Sequence, residues 1–326
     1  MQELLEIIIA DNHLNMEVIE IEGDAVFFFR FGKSPSVKEI VEQSKSIFEK
    51  FHLHLLKYEH QRICQCRTCR TASNLTLKFI IHSGMVSSYH IMDRFKLIGK
   101  DIIILHRLLK NKVPSDEYLL LTEPFFGELT DEYLHEKKLS AIEETETFDE
   151  ALIKYKYIQT KNWLNKLEYQ NDNSNKEIPN LIQVINVSKE INAPADKVWN
   201  YIIDLSKRSN WIKQIRTINA ISGEKINRLG TVHQCILENN NVLLFKANYF
   251  ENNDDILSIT ELDSHNGLFA RQFTIEKSSP DSCIVHLQFL IKNQLINRTL
   301  FSIFKKKRMT RNYMISLEKL RTIFDK

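Results

Sequence analysis

Glycine and proline are scarce, eight and six respectively in 326 residues. No glycine-rich phosphate loop is readable, and the abundance of Asn, Ile and Lys beside that scarcity suggests an AT-rich genome more than a function. No run of about 18 apolar residues occurs, and Met1-Gln2-Glu3-Leu4-Leu5-Glu6 lacks the basic start and cleavage pattern of a signal peptide. The expected location is therefore the cytoplasm, with no transmembrane segment. A surplus of one charge is missing too: 44 basic and 42 acidic residues leave +2, which gives no global attraction to nucleic acid. Cysteines number five, three of them within Cys64-Gln65-Cys66-Arg67-Thr68-Cys69, which does not read as a secreted disulfide framework. No Ser-His-Asp constellation or paired-carboxylate motif is present.

What remains is an ordinary globular composition, 43% hydrophobic and 26% charged, long enough for two domains that each bury a core. The low-apolar stretch Tyr169-Gln170-Asn171-Asp172-Asn173-Ser174-Asn175-Lys176 reads as a linker. The expected division is a domain over residues 1–165, a linker over 166–180 and a second domain over 181–326. In the first, apolar spacing predicts a helix from Ser36 to Tyr58, a strand from Leu75 to Ile81, a helix from Lys100 to Leu109 and a strand from Tyr118 to Leu121. The acidic stretch from Glu123 to Glu150 is expected to extend as helix, with a return strand over Ala151 to Ile158. Helices alternating with strands indicate an α+β domain.

In the second domain a strand over Ile182 to Ile191 leads through Ala193-Pro194 into a helix whose buried stripe is Val198, Trp199 and Ile202. Six β-type segments follow between Thr217 and Lys292, then a closing helix from about Gln294 to Phe324. Strand, Ala-Pro helix, meander and long last helix resemble START-like (SRPBCC, polyketide cyclase/dehydrase-type) helix-grip domains. That resemblance implies a cavity for a small hydrophobic or amphipathic ligand. Trp199, Trp211, Phe245, Tyr249, Phe269, Phe273 and Phe289 are the candidate lining, with His233 and Arg271 as polar anchors; for any single aromatic, a plain core role is the other reading.

Near the start, Ile21-Glu22-Gly23-Asp24-Ala25-Val26 places a carboxylate at a glycine turn between apolar segments, suited to a hard cation such as Mg²⁺ or Mn²⁺, although Asp is also common in turns for its local hydrogen bonds. The strand ending His82-Ser83-Gly84 and the segment Gly99-Lys100-Asp101-Ile102-Ile103-Ile104-Leu105-His106-Arg107 follow in order. Together these segments, over roughly the first 120 residues, resemble class III adenylate/guanylate cyclase domains, a ferredoxin-like fold, in an uncharacterised bacterial branch. The resemblance implies two metal aspartates, a Lys and an Asp that select the purine, and a transition-state Asn and Arg. Asp24 and Arg107 match two of these roles. The purine positions fall on Glu20 and Lys96, both of the wrong charge, and the Asn position on Ile103, which donates no hydrogen bond. The strand expected to carry the other aspartate is missing before Met1, so the domain is N-terminally incomplete, and either an upstream frame or a decayed copy is expected. Glu20 and Lys96 are read either as a salt bridge that closes the base pocket or as solvated charges. Head-to-tail homodimers are implied by the same resemblance.

Cys64, Cys66 and Cys69 are three soft ligands that His60 could complete as a tetrahedral Zn²⁺ site; reduced thiols or a redox-labile pair are the alternatives. Cys235 and Cys283 read as core. His82 reads as a satisfied turn histidine, and His52 and His54 as occupying different helix faces. The Lys305, Lys306, Lys307, Arg308 and Arg311 run, with Phe301 and Phe304, is either a contact for anionic lipid or a solvated helix face. With two of six cyclase roles kept, the sequence points to a non-catalytic binding or sensory protein. The enzyme alternative is residual metal-dependent nucleotide chemistry in the first domain or cyclase- or hydrolase-like activity in the second.

Overall fold

The structure, a computed structural model, describes residues 1–92, 94–148, 151–167, 180–221, 228–293 and 305–325. It is a mixed α+β chain of two compact units, Met1–Lys57 with Asn74–Tyr169, and Tyr58–Ser73 with Gln170–Lys326. Most of the expected linker, residues 168–179, lies outside the described residues, as do residues 294–304 of the expected closing helix with Phe301 and Phe304.

In the first unit α1 (Gln2–Ala10) and α2 (Val37–Gln61) bury Leu4 and Ile8 against Ile47, Phe51 and Leu55. The start of α2 is a reciprocal cap: the Ser36 backbone N–H donates to Glu39 Oε2 at 2.8 Å and the Glu39 N–H to Ser36 Oγ at 3.3 Å. Its buried stripe, Val37, Ile40, Val41, Ser44, Ile47, Phe48, Phe51 and Leu55, recurs every three or four residues as the sequence indicates. β1 (Glu17–Glu22) and β2 (Ala25–Phe29) form a hairpin whose turn uses Gly23 at φ +61, a value glycine takes without steric cost. A second hairpin, β4 (Ser87–Ile91) with β5 (Arg94–Ile98), has no counterpart among the sequence expectations.

The central sheet of this unit has the order β3-β6-β8-β7, with β3 (Phe79–Ile81) parallel to β6 (Tyr118–Thr122) and antiparallel pairings of β6 with β8 (Ala151–Gln159) and β8 with β7 (Ala141–Phe148). Two expectations need correction. The segment after Glu123 is helical only through the short turn at Glu123–Glu128 and α5 (Asp131–Lys137), because Ala141–Phe148 pairs along β8, where Glu143 stands opposite Lys156 with 3.6 Å between their charges and Glu146 accepts from the Tyr155 hydroxyl at 2.5 Å. The single ferredoxin-like sheet is also not seen: among the described residues no strand bridges the edge of β2 and the edge of β3, so the strands of the Gly23-Asp24 hairpin pair only with each other.

The second unit is a seven-stranded antiparallel sheet in the order β10-β11-β12-β13-β14-β15-β9. β9 (Leu181–Ile191) leads into α6 (Ala195–Ile203) and α7 (Arg208–Trp211); the meander β10 (Ile215–Ala220), β11 (Val232–Leu237), β12 (Val242–Asn252), β13 (Ile256–Asp263), β14 (Phe269–Ser279) and β15 (Ser282–Lys292) follows, and β15 closes back on β9. The last helix, α8 (Lys306–Phe324), lies against β9 and β15 and buries Leu317 and Leu320, a helix-grip arrangement. Strict alternation along β15 turns Cys283, Val285, Leu287, Phe289 and Ile291 inward.

The second unit also claims Tyr58–Ser73, the end of α2 with the cysteine segment and α3 (Arg67–Thr71), which the sequence division had placed in the first. The cause is burial: Ile63 is fully buried in one cluster with Val198, Trp199 and Trp211.

Candidate functional site

Three groups of side chains carry chemistry. The first lies inside the helix-grip unit. Glu261 faces inward from β13, fully buried between two guanidiniums, with Arg208 Nη1 2.6 Å from Oε1 and Arg271 Nε 2.6 Å from Oε2. Arg271 Nη2 lies 2.8 Å from His233 Nε2 and 3.3 Å from Cys235 Sγ, and its guanidinium stacks 3.9 Å over the Phe245 ring. Arg208 donates through Nε to the Ile202 carbonyl at 2.9 Å and lies 4.8 Å over Phe273, whose ring also meets Trp211 edge-on. Burial works against a charge on Glu261, yet the two guanidiniums overcome it and hold the carboxyl well below the usual carboxylate range. Burial also opposes ionisation of Cys235, and Arg271 outweighs it, lowering that thiol. Burial raises the Tyr313 phenol of α8, with the same charged pair nearby.

Two arginines against one carboxylate leave this interior with a surplus positive charge. Among the described residues Arg208 Nη2, Trp211 Nε1 and His233 Nδ1 are buried without a hydrogen-bond partner. Each such group costs roughly 1–3 kcal/mol.

Of the candidate lining residues, Trp199, Trp211, His233, Phe245, Arg271, Phe273 and Phe289 are buried; Tyr249 and Phe269 are half-buried. Phe245, Phe269 and Phe289 form a ring contact series. Trp199 instead turns its Nε1 to the Ile63 carbonyl at 2.9 Å and stacks on Phe250. Arg208 and Glu261 escaped the sequence reading. A signal for Glu261 was available: it stands in phase with the inward Leu257 and Ile259 of β13, where a carboxylate requires a partner.

The second group is Cys64, Cys66 and Cys69, whose sulfurs lie within 4.8 Å of one another. Cys64 is buried, the other two half-buried. Asn200 Oδ1, from α6, accepts from Cys64 Sγ at 3.4 Å and from the Gln65 N–H at 3.3 Å. Cys66 caps α3, its sulfur accepting the Cys69 N–H at 3.4 Å. Burial pushes the Cys64 thiol up; at Cys66 burial opposes the thiolate, but the Cys69 N–H and neighbouring sulfurs prevail and lower it. His60, the expected fourth ligand, is exposed at the end of α2 and does not belong to the group. Three gathered thiols of this kind could hold a soft metal ion.

The third group lies in the first unit. Asp24 is exposed at the hairpin tip, Arg107 is half-buried on α4 (Lys100–Leu108), and Ile103 is 53% exposed on the same helix. Lys96 Nζ and Glu20 Oε2 are 2.8 Å apart on the wall of an open cleft lined by Phe29, Phe31, His90 and Phe95. His82 is held on both sides, with Nδ1 2.9 Å from Thr122 Oγ1 and Nε2 3.0 Å from Asp101 Oδ1. Asp101 Oδ2 also accepts the Met85 N–H at 2.7 Å, and a Cβ on Gly84 would stand 2.2 Å from the Asp101 Cγ. Gly84→Ala is therefore expected to break this turn and cost the first unit about 1–3 kcal/mol; a thermal unfolding midpoint equal to that of the unchanged protein would contradict the account. His52 and His54 meet different carboxylates, Glu117 at 2.8 Å and Glu3 at 3.1 Å. At the start of α8 the Lys306, Lys307, Arg308 and Arg311 side chains are exposed, as is that of Lys305 just before it. No helix among the described residues is long and apolar enough to cross a membrane.

Residues 1–118 match a family described as a protein of unknown function (DUF2652). An uncharacterised protein of Mycobacterium tuberculosis is 34% identical over 123 residues, 38% of this chain and 57% of the other, so the chain spans little more than half the length of that curated relative. Among solved structures, a START superfamily protein from Mycobacterium smegmatis matches 43% of this chain and 98% of its own at 13% identity and a TM-score of 0.33. A hypothetical protein from Helicobacter pylori matches 43% of this chain and 88% of its own at 17% identity and a TM-score of 0.35.

Proposed function

We propose that this is a non-catalytic binding protein whose helix-grip unit takes a small amphipathic ligand with an acidic head group. The observation that carries the reading is the set of buried donors without partners, Arg208 Nη2, Trp211 Nε1 and His233 Nδ1, around a cluster with more positive than negative charge. A ligand carboxylate accepting from these donors offsets their desolvation, and the Phe245, Phe269 and Phe289 series suits its apolar body. The first unit is read as a degenerate cyclase-like partner domain that pairs two copies of the chain. Support for its degeneracy is the Glu20–Lys96 ion pair at the two purine-selecting positions and the apolar Ile103 at the position of the transition-state Asn. Asp24 belongs to no group of three or more metal-ligating side chains among the described residues, whereas a soft cation such as Zn²⁺ at Cys64, Cys66 and Cys69 belongs to the same sensory reading.

The test is a titration of the full chain with a long-chain fatty acid, followed by tryptophan emission, beside an assay for cyclic nucleotide from ATP or GTP with Mn²⁺. Saturable binding that weakens at least about tenfold in Arg208→Met, which removes the unpartnered Nη2, is expected, since a hydrogen bond to a charged group is worth roughly 1.5–3 kcal/mol, and no nucleotide turnover. Equal affinity in the variant, absence of saturation, or a cyclic nucleotide product would overturn the reading.

A further inference from the structure

We infer that Cys64, Cys66 and Cys69 bind one thiophilic cation, with Zn²⁺ as its probe, through three sulfurs and an open fourth position that a small exogenous thiol or water fills. The inference rests on the soft-metal reading above and adds the coordination and its exchangeability.

Sulfur geometry comes first. Tetrahedral thiolates at about 2.3 Å from Zn²⁺ stand about 3.8 Å apart. The three sulfurs already lie within 4.8 Å, so a small contraction suffices. Two of the three stay partly accessible while Cys64 is anchored in the core, an arrangement with a fixed base and a solvent-facing side. The surroundings resemble an outer shell more than a set of idle thiols. Asn200 steadies Cys64 and the Gln65 N–H, Arg62 Nη1 donates to the Cys64 carbonyl at 2.9 Å, and the Cys69 N–H points at the Cys66 sulfur.

Charge agrees. Three thiolates around a divalent cation carry one net negative charge, and Arg62, Arg67 and Arg70 lie in the same short segment, with Arg228 5.4 Å over the Tyr58 ring beside it. The fourth position is assigned by elimination among the His, Cys, Asp and Glu of the described residues. No His, Asp or Glu joins the three sulfurs, and His60 is exposed outside the group. Structural zinc sites close all four positions with protein ligands, whereas a site with three leaves room for exchange.

The full chain, reduced and stripped with a chelator, is titrated with Zn²⁺ against a chromophoric competitor. One ion per chain is expected, unaffected by excess Mg²⁺, with affinity falling about 100-fold or more in Cys66→Ser and in Cys69→Ser, since loss of even an outer-shell partner costs 10–100-fold. Both positions are half-buried, and far-UV dichroism and tryptophan emission matching the unchanged protein show that the variants fold. His60→Ala should bind as the unchanged protein does, and adding 2-mercaptoethanol to the Co²⁺-loaded form should shift its thiolate charge-transfer bands. No stoichiometric uptake, or uptake that survives both serine variants, would sink the metal reading itself. Tight uptake combined with a tenfold loss in His60→Ala, or with a Co²⁺ spectrum indifferent to added thiol, would keep the metal and overturn the open position.

Discussion

Replacing Glu261 with glutamine is expected to destabilise the second unit by about 3–5 kcal/mol, the range for breaking a buried ion pair by removing one partner. The substitution is nearly isosteric, so packing against Arg208 and Arg271 survives while their shared negative charge vanishes. Two guanidiniums then sit in the interior with no counter-charge at 2.6 Å. The measurement is urea unfolding followed by tryptophan emission in a Trp163→Phe background, which leaves Trp199 and Trp211 as reporters of this unit. A midpoint within error of the parent would show that the cluster contributes nothing to folding.

Acidity gives the same variant a second signature. The folded-state pKa of Glu261 lies well below its reference value of 4.5, so its contribution is fully present above pH 4.5 and is lost as the pH falls toward the folded value. The parent protein should lose second-unit stability on acidification below that point. Glu261→Gln should show a flatter acid limb, because the group that takes up the proton is gone. Replacing Arg208, Glu261 and Arg271 together by apolar residues of similar size should recover much of the loss, since a whole buried ion cluster is often exchangeable for packing. On the proposed reading, such a variant would retain the fold while losing affinity for an acidic ligand.

The second large effect is expected at Trp199. Trp199→Ala removes a fully buried ring and should cost about 3–5 kcal/mol. The indole also donates to the Ile63 carbonyl at 2.9 Å, which Gln65 Nε2 meets at 3.2 Å as well, so Trp199→Phe, which keeps most of the volume, should still cost about 0.5–1.5 kcal/mol, the net worth of one hydrogen bond. The consequence reaches the cysteine segment directly. Ile63 precedes Cys64, and the next residue of α6, Asn200, accepts from Cys64 and Gln65. In Trp199→Phe the Cys64 thiol should therefore react with an aromatic disulfide reagent as readily as its half-buried neighbours Cys66 and Cys69, whereas in the parent it reacts after both of them. Unchanged protection of Cys64 would separate the segment from the helix that is argued to hold it.

Several elements could be read directly because local pattern and final environment agree. The stripe from Val37 to Leu55 on α2 repeats at helical spacing, and the run from Cys283 to Ile291 alternates at strand spacing; each has one face for the core and one for solvent. The meander of the second unit and its closing helix were legible for the same reason. At Ala141–Phe148 reading failed, because an acidic stretch has no strong period of its own and becomes a strand only through its pairing along β8. The cysteine segment was legible as chemistry and misplaced as architecture. Its spacing announced three soft ligands, but Ile63 and Cys64 bury against Val198, Trp199 and Trp211, whose positions in the chain lie more than a hundred residues away.

The sequence by itself determined the elements with a strong period of their own, such as α2 and β15, and which residues possess ligand or charge chemistry, since these depend on side-chain type and short-range spacing. Tertiary structure alone decided partnership. It set Glu261 between Arg208 and Arg271, paired Glu20 with Lys96, left His60 outside the thiols, and assigned the segment from Tyr58 to Ser73 to the second unit. Partnership is decided by burial and long-range contact, and desolvation makes an interior charge costly until a residue distant in the chain meets it.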